Sequence, residues 1–290
     1  MLLGQIVYGL VIGSIYSLIA IGFSMVFQAI GLLNFAHQEF MMLGGLIGYT
    51  LAVTLNLPAP LVVLLAGLGA GCIAVAIEKV GISPIRHRGG AEINLIIATI
   101  GWGIILSNAA MLTWDAYPLG YPQRFQGKPL NLGGISIVPQ NLVILGAGIL
   151  LMILLQLFFK RTWTGQSMRA AAEDSPTAAL MGIDTDRTVS WTFFISGALG
   201  GIAGVFVSSI FYASFEMGLI GLRCFAAAVL GGFGNIVGAM FGGLILGIIE
   251  TLGATYISSA YKDVIAYGIV IVILLIRPTG IFAARRTGLT

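Results

Sequence analysis

Eight stretches of the chain are long and apolar enough to read as membrane-spanning helices: 3–29, 32–55, 61–78, 93–113, 141–159, 188–212, 237–258 and 262–276. No charged side chain interrupts 1–38, 40–77, 93–114 or 129–159, and a spanning helix needs ~20 apolar residues. The runs are continuous rather than alternating, which predicts helices and not the strands of a β-barrel. Residues 219–236 are short, glycine-rich and carry Arg223. They read as a half-helix or a broken span. The predicted fold is therefore all-α: a polytopic membrane helix bundle of eight to nine spans with broken helices, forming one domain over 1–290.

Glycine spacing adds packing detail. Gly9/Gly13, Gly44/Gly48, Gly67/Gly71, Gly197/Gly201, Gly234/Gly238/Gly242 and Gly243/Gly247 each put small residues on one helix face. In lipid, such faces let helix backbones approach closely. Gly231-Gly232-Phe233-Gly234-Asn235 should break a helix outright, and a break at membrane depth is tolerated only inside protein or beside a wet cavity. A weak internal repeat also shows at an offset of 190. It sets Gly31-Leu32-Leu33-Asn34-Phe35-Ala36 against Gly221-Leu222-Arg223-Cys224-Phe225-Ala226, with Gly44 and Gly48 against Gly234 and Gly238.

Composition narrows the class. Of 290 residues 58% are hydrophobic and 9% charged, and the mean hydropathy is +1.02. Soluble domains carry ~25% charged residues. A water-soluble enzyme, a nucleic-acid binder and a disordered chain are excluded, and the net charge of +3 gives no reason to expect a nucleic-acid partner. The first 38 residues contain no charged side chain, so the first apolar stretch lacks the basic flank of a cleaved signal and is expected to remain as a span. Ten of the fourteen Lys and Arg residues lie in 79–92, 160–187 and the tail from Arg277 to Arg285 and Arg286. These segments are expected on the cytoplasmic side. The loop 115–140, with only Arg124 and Lys128, is expected outside.

Candidate chemistry is sparse. Glu39 is the only charge between Met1 and Ile77 and belongs to the polar run Asn34-Phe35-Ala36-His37-Gln38-Glu39. An ionisable residue at membrane depth marks a functional site by default, although a turn at the membrane surface would also accommodate Asn34 and Glu39. Arg223 has the same two readings. Glu216, Glu250 and Lys262 are expected near the interfaces. His37 and His87 are the only histidines, and neither H-E-x-x-H nor C-x-x-C occurs, so neither a metal site nor catalytic residues are expected. Cys72 and Cys224 read as small packing residues. Gly127-Lys128 is followed by Pro129, so no phosphate-cradling loop is present. The chain itself is expected to bind no cofactor, and any ATP must be used by partner subunits.

The segment 165–187 is the most informative polar piece. Ser175 reads as an N-cap, Pro176 as the first helical residue and Gly182 as the residue after the end. This predicts a short helix over 176–181, preceded by another near 167–173. Ala171, Ala172, Ala178 and Ala179 would leave a small-residue surface on which another protein could dock.

Together these pieces carry a resemblance. The matching stretches are Gly9-Leu10-Val11-Ile12-Gly13-Ser14-Ile15-Tyr16-Ser17-Leu18, Asn34-Phe35-Ala36-His37, Arg169-Ala170-Ala171-Ala172-Glu173-Asp174 with Ala179-Leu180-Met181-Gly182-Ile183, and 225–239. In that order they resemble the membrane permease subunits of branched-chain amino acid ABC importers. Gln38 stands where that family usually has glycine. The resemblance implies an inner-membrane permease that forms half of a translocation path. It implies as partners a homologous second permease, two ATP-binding cassette ATPases, a periplasmic substrate-binding protein and the membrane lipid. It implies an ATPase-coupling segment at Arg169, Glu173, Asp174, Ala178, Ala179 and Gly182, while the polar cluster and the glycine break make Asn34, His37, Gln38, Glu39, Arg223 and Asn235 the candidate path residues. Urea or short amides are alternative substrates of such a machine. A free-standing channel or secondary transporter is the rival from another class.

Overall fold

The computed structural model describes residues 2–121, 130–132, 135–259, 261–277 and 279–282. Arg124, Lys128, Arg285 and Arg286 lie outside the described residues. The architecture is helical. In chain order come α1 (Leu2–Ile30), α2 (His37–Val53) and α3 (Ala59–Ile77), then a π-helical turn (Glu78–Ile82), α4 (Ser83–His87) and α5 (Glu92–Trp114). After a small antiparallel hairpin, β1 (Leu130–Leu132) with β2 (Ile135–Ile137), follow α6 (Pro139–Arg161), α7 (Trp163–Glu173), α8 (Ser175–Leu180) and α9 (Thr185–Ile210). A 3-10 turn (Phe215–Met217) leads to α10 (Gly218–Gly231), α11 (Ile236–Tyr256) and α12 (Lys262–Ile276). Among the described residues six helices are long and apolar enough to cross a membrane, counting 59–87 as one. The three shorter apolar helices are α2, α10 and α12, of 17, 14 and 15 residues.

The expected span 32–55 is helical only from His37. Gly31, at φ +69°, closes α1. Asn34 then bends the chain back on itself: its Oδ1 accepts from the Ala36 N–H at 3.1 Å, a local bond that competes with helix formation. The expected break at 231–235 is present. Gly232 and Gly234 have φ of +105° and +79°, a region that strains other residues. The repeat at offset 190 pairs unlike structures, because 31–36 is not helical while 221–226 lies inside α10.

The glycine faces do the packing they predict. A Cβ added at Gly9 or Gly13 would stand 2.9 and 2.8 Å from the Cα atoms of Ile248 and Leu244 on α11, and Ser17 Oγ donates to Met240 O at 2.6 Å. Partner numbers fall as α1 numbers rise, so α1 and α11 run antiparallel. Gly67 and Gly71 on α3 lie against Ala198 and Phe194 of α9, while Gly197 and Gly201 return the contact at Ala70, Ala74 and Ala66. In a bilayer such contacts replace the hydrophobic drive that holds a soluble core together. Helices of similar apolarity have different neighbours: 89% of the most apolar stretch of α1 is buried by protein, against 22% of that in α5. Both cysteines are free, Cys224 buried and Cys72 exposed.

One end of the bundle carries α4, α7 and α8, tied to the start of α9 by an Arg86–Asp186 ion pair and by Ser190 Oγ donating to Glu78 at 2.8 Å. The opposite end carries the Leu119–Ala213 bridge, and there the Trp114 indole donates to Thr50 at 2.7 Å.

Candidate functional site

Asn34, His37 and Glu39 are buried inside the bundle, at 2%, 0% and 7% exposure. The turn they form is thus covered by neighbouring helices, not set on the outside of the bundle. His37 opens α2 against α1 and α9. Its Nε2 lies 3.1 Å from Ile19 O, and its Nδ1 lies 3.0 Å from Ser196 Oγ. A carbonyl oxygen only accepts, so the ring carries a proton on Nε2. Phe23 packs edge-on to the ring at 4.6 Å. His37 thus staples three helices. Ile19 lies eleven residues from the end of α1, or ~16 Å along a helix, so α2 begins deep within the bundle.

Gln38 and Glu39 face α10. The carboxylate of Glu39 lies against Gly218, the first residue of α10, and the Cβ of Gln38 lies against Gly221. The bulk of Gln38 is therefore accommodated by a glycine across the contact, and 37–39 is regular helix. Phe35 donates its N–H to Thr99 Oγ1 on α5 at 3.2 Å and stacks near Phe225 of α10, at 5.9 Å between ring centres. Gln38 Nε2 reaches Glu39 Oε1 at 3.4 Å. Three buried polar atoms of this turn, Asn34 Nδ2, Gln38 Oε1 and Glu39 Oε2, have no hydrogen-bond partner among the described residues.

Arg223 sits one turn and a half along α10, in a different environment. Its guanidinium meets Glu250 of α11 at 3.1 Å and Asp263 of α12 at 2.8 Å. Tyr16 of α1 donates to the other Glu250 oxygen at 2.7 Å. Glu250 is enclosed by protein, near the end of the bundle where α12 begins. An Arg and a Glu on neighbouring apolar segments, each costly alone in lipid, was the signal available for this pair. Arg223 also borders a cavity of about 350 Å³ with Tyr16, Glu216, Tyr212 and Lys262. Asn235 lies elsewhere again. It caps α11, accepting from the Gly238 N–H at 3.1 Å and donating to Phe282 O, so its amide is engaged with backbone.

In 165–187 the cap moves by one residue. Asp174, not Ser175, is the N-cap of α8, accepting from the Thr177 N–H at 3.1 Å and from its hydroxyl. These bonds hold the Asp174 carboxyl below its ordinary value. A carboxylate accepts better than a hydroxyl and wins the position. Gly182, at φ +85°, ends the helix as expected. The alanine surface divides. Ala171 and Ala178 point into the protein, at 7% and 5% exposure, which corrects their assignment to a docking surface. Arg169, Glu173, Asp174, Ala179 and Gly182 are exposed. The sequence reading passed over Leu180 and Met181, which stand out at 88% and 80% exposure beside Trp163 at 81%. A hydrophobic pair just before a helix-ending glycine was the missed signal.

Helices of spanning length, two shorter helices meeting at buried polar groups unpaired among the described residues, and an apolar knob on a polar loop are the features of a membrane permease. The family model described as branched-chain amino acid transport system, permease component, matches residues 5–274. The chain belongs to this family and is an integral inner-membrane component of a transport system. The branched-chain amino acid permease protein BraD of Pseudomonas aeruginosa is 40% identical over 96% of this chain and 95% of its own length. LivH of Escherichia coli K12 is 38% identical over 96% and 94%. The solved structure of PsaBC from Streptococcus pneumoniae shares the fold at TM-score 0.51 and 16% identity, over 94% of this chain and 91% of that one.

Proposed function

We propose that this chain forms half of the translocation path of an ATP-driven importer for branched-chain or other neutral amino acids. The relatives named as branched-chain amino acid permeases, matched over nearly their whole length, carry this reading and favour it over urea or short amides. A homologous second permease supplies the other half. Two ATPase subunits consume the ATP, and a periplasmic binding protein delivers substrate. In this reading the α7–α8 end is cytoplasmic and the loop 115–140 external. The single domain then spans the membrane eight or nine times, with α2 and α12 crossing and α10 crossing in part.

An internal repeat is supported by helix lengths rather than by the offset of 190. Helices of 29, 17 and 19 residues (α1–α3) are followed later by helices of 26, 14 and 21 residues (α9–α11). Many transporters build their path where the short, broken helices of two such repeats meet. Asn34, Gln38 and Glu39 are accordingly the path residues, with Arg223 at its margin. His37 and Asn235 hold the helices that frame it. Arg169, Glu173, Asp174, Ala179 and Gly182, together with Leu180 and Met181, form the face that docks the ATPase, and Ala178 supports it from behind. ATP binding at the partner shifts the balance of inward- and outward-open states only if this contact differs between them.

The test is ATP-driven uptake of leucine and urea by the complex co-purified with its partners and placed in proteoliposomes. Leucine uptake that needs both ATP and the binding protein supports the reading. Uptake by the chain alone overturns it. Ser83→Cys and Thr177→Cys, in a background without the native cysteines, should resist an impermeant thiol reagent in intact cells.

A further inference from the structure

The turn at the start of α2 holds, on successive residues, two acceptors without a partner among the described residues, Gln38 Oε1 and Glu39 Oε2. The orientation of the Gln38 amide is set by its Nε2 reaching Glu39 Oε1. Buried acceptors without donors are expensive, and a carboxylate most of all. Among the described residues no Lys or Arg supplies the missing donor: the guanidinium of Arg223 is held by Glu250 and Asp263, and Gly103, Gly218 and Gly221, which lie across the contact, have no side chain to offer one. The third unpartnered atom, Asn34 Nδ2, is a donor.

We propose that Glu39, with the side-chain carbonyl of Gln38, is the site that receives the ammonium group of a substrate amino acid as α2 and α10 part, Asn34 offering its amide to the substrate's carboxylate. This deepens the path reading above and rests on it. An ammonium carries the donors and the charge that this pair of acceptors lacks, whereas urea or a simple amide leaves the carboxylate's charge uncompensated. Gly218 and Gly221 close tightly on this turn, Gly103 lies in contact with it, and none brings a competing polar side chain, so the head-group enters only as the helices separate. The binding step breaks no covalent bond.

Gly103 provides a probe position, since a Cβ there would lie 3.7 Å from Glu39 Cγ, in ordinary contact. Gly103→Cys, in a Cys72→Ala/Cys224→Ala background within the assembled transporter, is treated during ATP turnover with two thiol reagents. One is the cationic trimethylammonioethyl methanethiosulfonate, the other the anionic sulfonatoethyl methanethiosulfonate. The cationic reagent should react faster relative to the anionic one, and Glu39→Gln should reduce that ratio roughly ten- to hundredfold, the worth of a hydrogen bond to a charged group. Leucine uptake should fall by a similar factor in Glu39→Gln, with assembly and thermal melting retained, and Glu39→Asp should restore the reagent preference. A reagent ratio or leucine uptake unchanged in Glu39→Gln overturns the ammonium site while leaving the path reading standing. If Gly103→Cys reacts with neither reagent during turnover, the Glu39 turn does not open to the path, and the ammonium site falls together with the path role of Asn34, Gln38 and Glu39, while ATP-driven leucine uptake separately tests the importer reading.

Discussion

Glu39 and Arg223 are both ionisable residues in apolar stretches, five or fewer residues from the start of one of the shorter helices, and the sequence treats them alike. The structure separates them. Arg223 is matched on two sides by Glu250 and Asp263, with Tyr16 completing the hydrogen bonding of Glu250. Glu39 has one long bond from its neighbour and an oxygen with no partner among the described residues. A buried charge with its complement built in joins helices. A buried charge whose complement is absent from the surrounding side chains is available to something that moves. Arg223 is therefore tied into the framework linking α1, α10, α11 and α12, while Glu39 is left with the unmet acceptor on which the proposed ammonium site rests.

This contrast can be broken experimentally, and the largest effect should come from the framework. Arg223→Leu strands Glu250 in the bundle, and breaking one side of a buried pair costs ~3–5 kcal/mol. The detergent-solubilised protein should lose much of its thermal stability, and Arg223→Leu/Glu250→Leu should recover most of it. A stable single variant would place Arg223 with Glu39 instead.

The same division between satisfied and available groups recurs in α8. Ala178→Trp should destabilise the permease by ~1–3 kcal/mol through overpacking. Ala179→Trp, one residue on and exposed, should leave the melt unchanged but abolish ATPase pull-down and transport. Equal behaviour of the two variants in both measurements would remove the docking face.

At Glu39 the stability effect should be smaller still. Glu39→Gln removes no favourable ion pair and should melt within ~1 kcal/mol of the wild type, the scale of a single hydrogen bond. A strong loss of stability would mean that Glu39 has an unseen structural partner. The smallest effect is a pH dependence at Asp174. Its carboxyl is held below the ordinary value by Thr177, so the cap stabilises α8 above the unfolded-state pKa of ~3.9 and fades as pH falls through the lower folded value. Hydrogen exchange at the Thr177 amide should accelerate relative to the intrinsic rate only in acid, and Asp174→Asn should abolish that dependence.

The sequence by itself determined what local chemistry and the solvent dictate. Uninterrupted apolar runs gave the long helices to within a few residues. Gly231–Asn235 gave the break and Gly182 the end of α8, because such positions depend on backbone freedom and not on distant neighbours. Spacing identified the glycine faces, though only the folded bundle paired α1 with α11 and α3 with α9. What the tertiary structure alone decided was which apolar helix is enclosed and which faces lipid, since α1 and α5 are alike in composition and the bilayer is as apolar as the protein interior. It also decided that Ala178 points inward, that Leu180 and Met181 point outward, and that Asn235 is a cap. Above all it decided the fates of Arg223 and Glu39. Whether a buried charge is balanced depends on residues far away in the chain, here 27 and 40 positions beyond Arg223, and no local pattern contains that information.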